Sequence, residues 1–272
     1  MEAGNFKLEN KLDYFILFIY EMMGTAILFI GINFSQGNHA LVLGGIYTGC
    51  MLTARQTGAH FNMGLTVAVL IVENNYSKKQ LMAFLVYEVA ELVGGFLGMW
   101  ISYMFLGDKI AFIKPQDLNS SGFYIFILEM FFTWTMMMTI LHGKHAKLSL
   151  FSDMVPGVMA SLIGINFSCG CIGNRTGAVM NPNVGICNVI FCMLALKSND
   201  SLPYLPAYIF GPLLGCLFAA AFVKFVALRF LPIPENKGSP IEEKRKVVAK
   251  YGIGSFMSQD SFVQNSFLQT SP

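Results

Sequence analysis

Two asparagines stand at matching points of a duplicated pattern. Thr57-Gly58-Ala59-His60-Phe61-Asn62 recurs as Thr176-Gly177-Ala178-Val179-Met180-Asn181, so that TGAxxN occurs twice, each time directly before a short apolar piece. Asparagine is a favoured N-cap because its side-chain oxygen accepts from an orphan backbone N–H. Its NH2 group is then left to face a passing solute. Two helix N-termini converging from opposite sides bring positive dipole ends together, which disfavours cations and lets neutral molecules pass. This is recognition without bond making.

Few other side chains carry chemistry. Glu21 and Glu129 lie inside apolar runs, where ionisable groups face the interior of a bundle. Their matched placement suits a structural acceptor of backbone N–H groups, since buried carboxylates are hydrogen-bonded; a proton relay is the sharper alternative. Glu91 is a packing acceptor or a functional carboxyl. His60 is read as a static pore-lining group, with a protonation gate as its alternative. Cys50, Cys169, Cys171, Cys187, Cys192 and Cys216 lack zinc-site spacing and disulfide-framework density. No nucleophile–base pair, phosphate-binding loop or metal constellation is present, so neither an enzyme nor a cofactor is expected.

The elements that position these residues follow from composition. The chain is 54% hydrophobic and only 12% charged, with a mean hydropathy of +0.56, whereas soluble domains are about one quarter charged. Its net charge of +2 is too small for a nucleic-acid binder. Candidate spans fall at 14–34, 40–55, 80–106, 122–142, 154–173 and 204–231. The apolar pieces from Asn62 to Val72 and from Asn181 to Leu196 are too short to cross, and read as re-entrant half-helices. An all-α membrane protein results, with six transmembrane helices and two re-entrant half-helices.

The duplication extends beyond TGAxxN. Tyr87, Ala90, Gly94 and Gly98 match Tyr204, Ala207, Gly211 and Gly215, and the glycines permit close helix approach. Each half, 14–106 and 122–231, contains three spans and one half-helix. An odd number of spans inverts the second half in the bilayer, giving an inverted repeat with broken helices at the midplane. Lys78, Lys79, Lys144, Lys147, Arg229 and the Lys244–Lys250 cluster fall on one side. The positive-inside rule therefore places both termini in the cytosol. Residues 1–13 form a short cytosolic segment, 14–231 the channel domain and 232–272 a flexible cytosolic tail.

With glutamates in its first and fourth spans, GAHxN in the first half, GAxMNP in the second and GPLLG in the sixth span, the chain resembles the aquaporin, or major intrinsic protein, family. The resemblance covers residues 14–230. It implies a homotetramer with one pore per subunit, Glu21 and Glu129 as loop anchors, and carbonyls of Gly58, Ala59 and His60 lining a cytosolic vestibule. The family's Asn-Pro-Ala signature is altered to Asn62-Met63-Gly64 and Asn181-Pro182-Asn183. Proline suits the first helical position because its missing N–H has no partner there anyway. Met63 loses that pre-organisation and lengthens the side chain, while Asn183 adds a polar group.

A further departure lies at the outer filter, where the family's arginine is replaced by Val184. Ungapped counting adds Val42, Cys169 and Ala178 to the same ring, making it wide and apolar. Arg175, six residues before Asn181, is the nearby cation assigned to the outer vestibule, where it would partly replace the missing charge. The expected function is a passive channel for water or small uncharged solutes such as glycerol or urea. A proton-coupled secondary transporter and a non-conducting scaffold are the competing readings.

Overall fold

The computed structural model describes residues 8–35, 45–51, 57–145, 148 and 155–231. All of these belong to one compact unit, Met1–Ile233. Val42 and the tail from 232 lie outside the described residues.

Every extended element described is helical. Helix α1, Lys11–Phe34, starts at a reciprocal capping box between Asn10 and Asp13, three residues before the apolar run itself begins. Helix α2 is described over 45–51. Then come α3 (Met63–Glu73), α4 (Lys78–Leu106), α5 (Gly122–Lys144), α6 (Val155–Thr176), α7 (Pro182–Ala195) and α8 (Leu205–Phe222). A π-helical turn, Val223–Ala227, carries α8 into a last short helix, α9 (Leu228–Phe230).

Length separates these helices into two kinds. Among the described residues, Lys11–Phe34, Lys78–Lys109, Gly122–Lys144 and Leu202–Phe230 are long and apolar enough to cross a bilayer. Helix α6 has 22 residues, the length of a span. Helices α3 and α7 have 11 and 14 residues, enough for roughly half of a hydrocarbon core about 30 Å thick. Among the described residues α1, α4, α5, α6 and α8 are of spanning length and α3 and α7 are half-helices.

Small residues bring the spans that carry the site together. A Cβ placed on Gly94 would stand 2.2 Å from the Met22 carbonyl oxygen of α1, and one on Gly98 2.5 Å from that of Ala26. The second half repeats this contact: a Cβ on Gly211 would meet the Phe126 oxygen of α5 at 2.9 Å, and one on Gly215 the Met130 oxygen at 2.4 Å. Larger side chains at these four positions would force α4 from α1 and α8 from α5. The glycine spacing thereby fixes where Glu21 and Glu129 point.

Candidate pore and its two re-entrant loops

Each TGAxxN segment is a compact loop with an unusual backbone. Gly58, Ala59 and Phe61 have φ of 97°, 50° and 51°, and Gly177, Ala178 and Met180 repeat them at 93°, 52° and 46°. Left-handed geometry is costly for residues with a Cβ, so something must hold the loops in it. In each case that is one fully buried glutamate. Glu21 accepts from the Thr57 hydroxyl at 2.9 Å and from the His60 and Phe61 N–H groups at 3.0 and 3.1 Å. Glu129 accepts from the Thr176 hydroxyl at 2.5 Å and from the Val179 and Met180 N–H groups at 3.0 and 2.9 Å. A carboxylate taken out of water needs such donors, and here the turned backbone supplies two from adjacent residues.

The loops end at the two asparagines. Asn62 Oδ1 accepts from the Gly64 and Leu65 N–H groups at 2.9 and 3.3 Å, capping α3. Asn181 Oδ1 accepts from the Asn183 N–H at 3.0 Å, capping α7, with Pro182 at the first helical position. Their amide nitrogens cross over. Asn62 Nδ2 donates to the Met180 carbonyl at 3.2 Å and Asn181 Nδ2 donates to the Phe61 carbonyl at 2.9 Å. Each NH2 carries two hydrogens, so one commits to the opposite loop and one remains. The half-helices thus meet N-terminus to N-terminus, locked by a reciprocal pair of bonds.

On the side of the second loop, a cavity of about 490 Å³ reaches from Asn62 and Asn181 to Lys109 and Lys114. Cys169, Ala178 and Val184 line it, as do Gly177 and Val179. Part of its wall is the segment Ala111–Lys114, which links the two halves of the chain. That segment is pinned by two buried asparagines. Asn33 Oδ1 accepts from the Ala111 N–H at 2.8 Å, while Asn188 accepts from the Ile113 N–H at 3.0 Å and donates to the Ala111 carbonyl at 2.7 Å. Sequence reasoning passed over both, although a lone asparagine inside an apolar run was the available signal.

Arg175 is not among the residues that line this cavity. It is exposed, with Nη1 3.5 Å from the Tyr124 hydroxyl, and the cations that do line the cavity are Lys109 and Lys114. The physical reason is its place in the last turn of α6: the next residue, Thr176, is drawn inward to Glu129, which turns Arg175 outward. Met63 is half-buried at the start of α3 and is not among the cavity-lining residues.

The first loop is enclosed differently. Lys144 Nζ, at the end of α5, donates to the Gly58 carbonyl at 2.8 Å and to that of Ala59 at 3.3 Å. The Tyr47 hydroxyl donates to the His60 carbonyl at 2.8 Å. The His60 ring stacks on Tyr87, with centroids 4.2 Å apart, and its Nδ1 is 3.0 Å from Thr66 Oγ1. Thr66 donates to Glu91 Oε1 at 2.9 Å, and Asn183 Nδ2 donates to Glu91 Oε2 at 3.2 Å. Glu91 therefore joins the two half-helices from behind. The tyrosines do not bond alike in the two halves: Tyr87 donates to the Thr57 carbonyl, but the matching bond to Thr176 comes from Tyr208 at 2.6 Å rather than from Tyr204, which donates to the Leu118 carbonyl.

Spanning helices around two half-helices, capped head to head, define the fold of a helical membrane channel. The sequence takes the assignment further: the Major intrinsic protein family matches residues 14–225, and the chain belongs to that family, whose members are channels and facilitators rather than enzymes. An aquaglyceroporin from Toxoplasma gondii is 27% identical over 242 residues, covering 85% of this chain and 88% of the relative. The glycerol uptake facilitator protein of Escherichia coli is 24% identical over 258 residues, covering 79% and 89%. Among solved structures, the X-ray structure of the aquaglyceroporin from Plasmodium falciparum aligns with a TM-score of 0.66 at 20% identity, covering 79% of this chain and 97% of that one. The last comparison is a likeness of fold.

Proposed function

We propose that the chain is a passive channel for water and small uncharged solutes of the glycerol or urea class, with its pore passing between Asn62 and Asn181. The observation that carries this reading is the crossed pair of asparagine caps at the inner end of a 490 Å³ cavity. Each cap keeps one N–H for a solute, and both half-helices turn their positive ends toward it. The names of the relatives, an aquaglyceroporin, a glycerol uptake facilitator and a propanediol uptake facilitator of Citrobacter freundii, support a short polyol as solute. Cys169, Ala178 and Val184 form the described part of a wide apolar filter, with Val42 as its fourth member.

On this reading the first loop faces the cytosol, because Lys78, Lys79 and Lys144 lie on its side of the bundle. Glu21 and Glu129 anchor the loops, residues 14–231 form the channel domain, and the assembly is a homotetramer, as the family resemblance implies. Stopped-flow light scattering of proteoliposomes tests the proposal. Vesicles holding the protein should shrink under sucrose faster than empty ones and re-swell faster in glycerol or urea. Flux no greater than in protein-free vesicles, for water and both solutes, would sink the open-channel reading and leave the scaffold.

A further inference from the structure

Lys144 ends α5, a helix of the second repeat, yet its ammonium lies on the loop of the first, 2.8 Å from the Gly58 oxygen and 3.3 Å from that of Ala59. The matching residues of the other loop, Gly177 and Ala178, line the cavity. The inverted repeat therefore sets Gly58 and Ala59 on the passage at its other mouth, and with them a fixed positive charge. Glu21 stands behind the loop with both oxygens occupied by Thr57, His60 and Phe61. Counted from the paired glutamates, the position matching Lys144 in the first repeat is Gln36, which lies outside the described residues. An ammonium seated on the loop carbonyls is thus particular to one mouth and is no relic of duplication; at the other mouth the lysines that line the cavity are Lys109 and Lys114, and Lys114 is paired with Asp200 at 2.9 Å. At the other mouth, the third residue after Asn181 is the uncharged Val184.

Resting on the channel reading above, we infer that Lys144 is the specificity-determining residue that excludes cations, so that the charge filter of this pore sits at the first loop. A like charge in a narrow passage of low dielectric repels an approaching cation strongly. A neutral solute meets no such repulsion and has only to exchange hydrogen bonds with a flexible side chain. The ammonium also occupies two carbonyls that would otherwise replace the hydration shell of a cation.

Proteoliposomes carrying a trapped pH-sensitive dye test this, with glycerol flux measured on the same preparations. Lys144→Gln keeps a donor and loses the charge; its proton leak, taken as a ratio to its own glycerol flux, should rise roughly tenfold or more, as expected when a like charge leaves a narrow site. Lys144→Arg should remain tight. The double variant Lys144→Gln/Val184→Arg, with a cation returned at the opposite mouth, should be tight again. A tight Lys144→Gln, or a Lys144→Arg that leaks as much, overturns the inference while leaving the channel reading intact. Lys144→Met gives the same comparison where the glutamine variant does not fold. No glycerol flux in the unmodified protein overturns both.

Discussion

The two re-entrant loops share a sequence pattern, a sequence of left-handed backbone angles and a glutamate that gathers their N–H groups. Their carbonyls differ. In the first loop Gly58 and Ala59 are taken by Lys144, His60 by Tyr47 and Phe61 by Asn181. In the second, Asn62 takes Met180 and Tyr208 takes Thr176. No described residue donates to Gly177, Ala178 or Val179, all three of which line the cavity. Duplication therefore fixed the N–H side of each loop, where the glutamate acts on adjacent residues. The carbonyl side was left to whichever helices pack against it, and there the two mouths acquired different chemistry.

The largest effect that tests this contrast comes from the anchors. Glu21→Leu and Glu129→Leu each strand three buried donors, a cost on the order of 4 kcal/mol, given 1–3 kcal/mol for each unsatisfied group. Thermal unfolding in detergent should show Glu129→Leu to be the worse, because the first loop keeps Lys144, Tyr47 and Tyr87 when its glutamate is gone. The reverse order would mean that Lys144 depends on Glu21 and adds nothing of its own. Next in size is Val184→Arg. It offers guanidinium donors to the open carbonyls of Gly177–Val179 and so makes the second mouth resemble the first. Glycerol flux should fall roughly tenfold, the scale of a barrier change of about 1.4 kcal/mol, with water flux falling less. Equal glycerol flux before and after would show that the second mouth does not set the solute limit.

Much of this contrast was hidden from the sequence for reasons of geometry. TGAxxN, the two glutamates and the four glycines are local or evenly spaced features, and the loops, caps and close helix pairs can be read from them. Lys144 reaches a loop 86 residues earlier in the chain, and nothing in its neighbourhood distinguishes it from the basic residues that mark a membrane face. Tyr208 takes over the bond that repeat register assigns to Tyr204, because a hydroxyl on the adjacent turn of α8 reaches the Thr176 carbonyl. For Arg175, spacing from Asn181 gives proximity along the chain, whereas direction depends on which face of α6 is drawn to Glu129. Glu91 and Asn183 each departed from the repeat singly in the sequence; only in space do they form a pair.

That pair carries the smallest expected effect. Glu91 is fully buried and accepts from Thr66 and Asn183, while Asn183 Oδ1 is buried without a hydrogen-bond partner. Glutamine at 91 still accepts from Thr66, and its NH2 can donate to Asn183 Oδ1 once that amide turns over. Glu91→Gln therefore removes a buried acid and keeps one hydrogen bond to each neighbour, so its stability should stay within about 1 kcal/mol of the parent, the net worth of one hydrogen bond. Glycerol flux should be unchanged, since the solute meets the front of α3 and α7 and Glu91 stands behind them. A proton-coupled transporter predicts something else: uphill solute accumulation under a pH gradient in the parent, abolished by this one substitution. Accumulation of that kind would make Glu91 the coupling carboxyl and turn the contrast between the mouths into one between two faces of an alternating-access site.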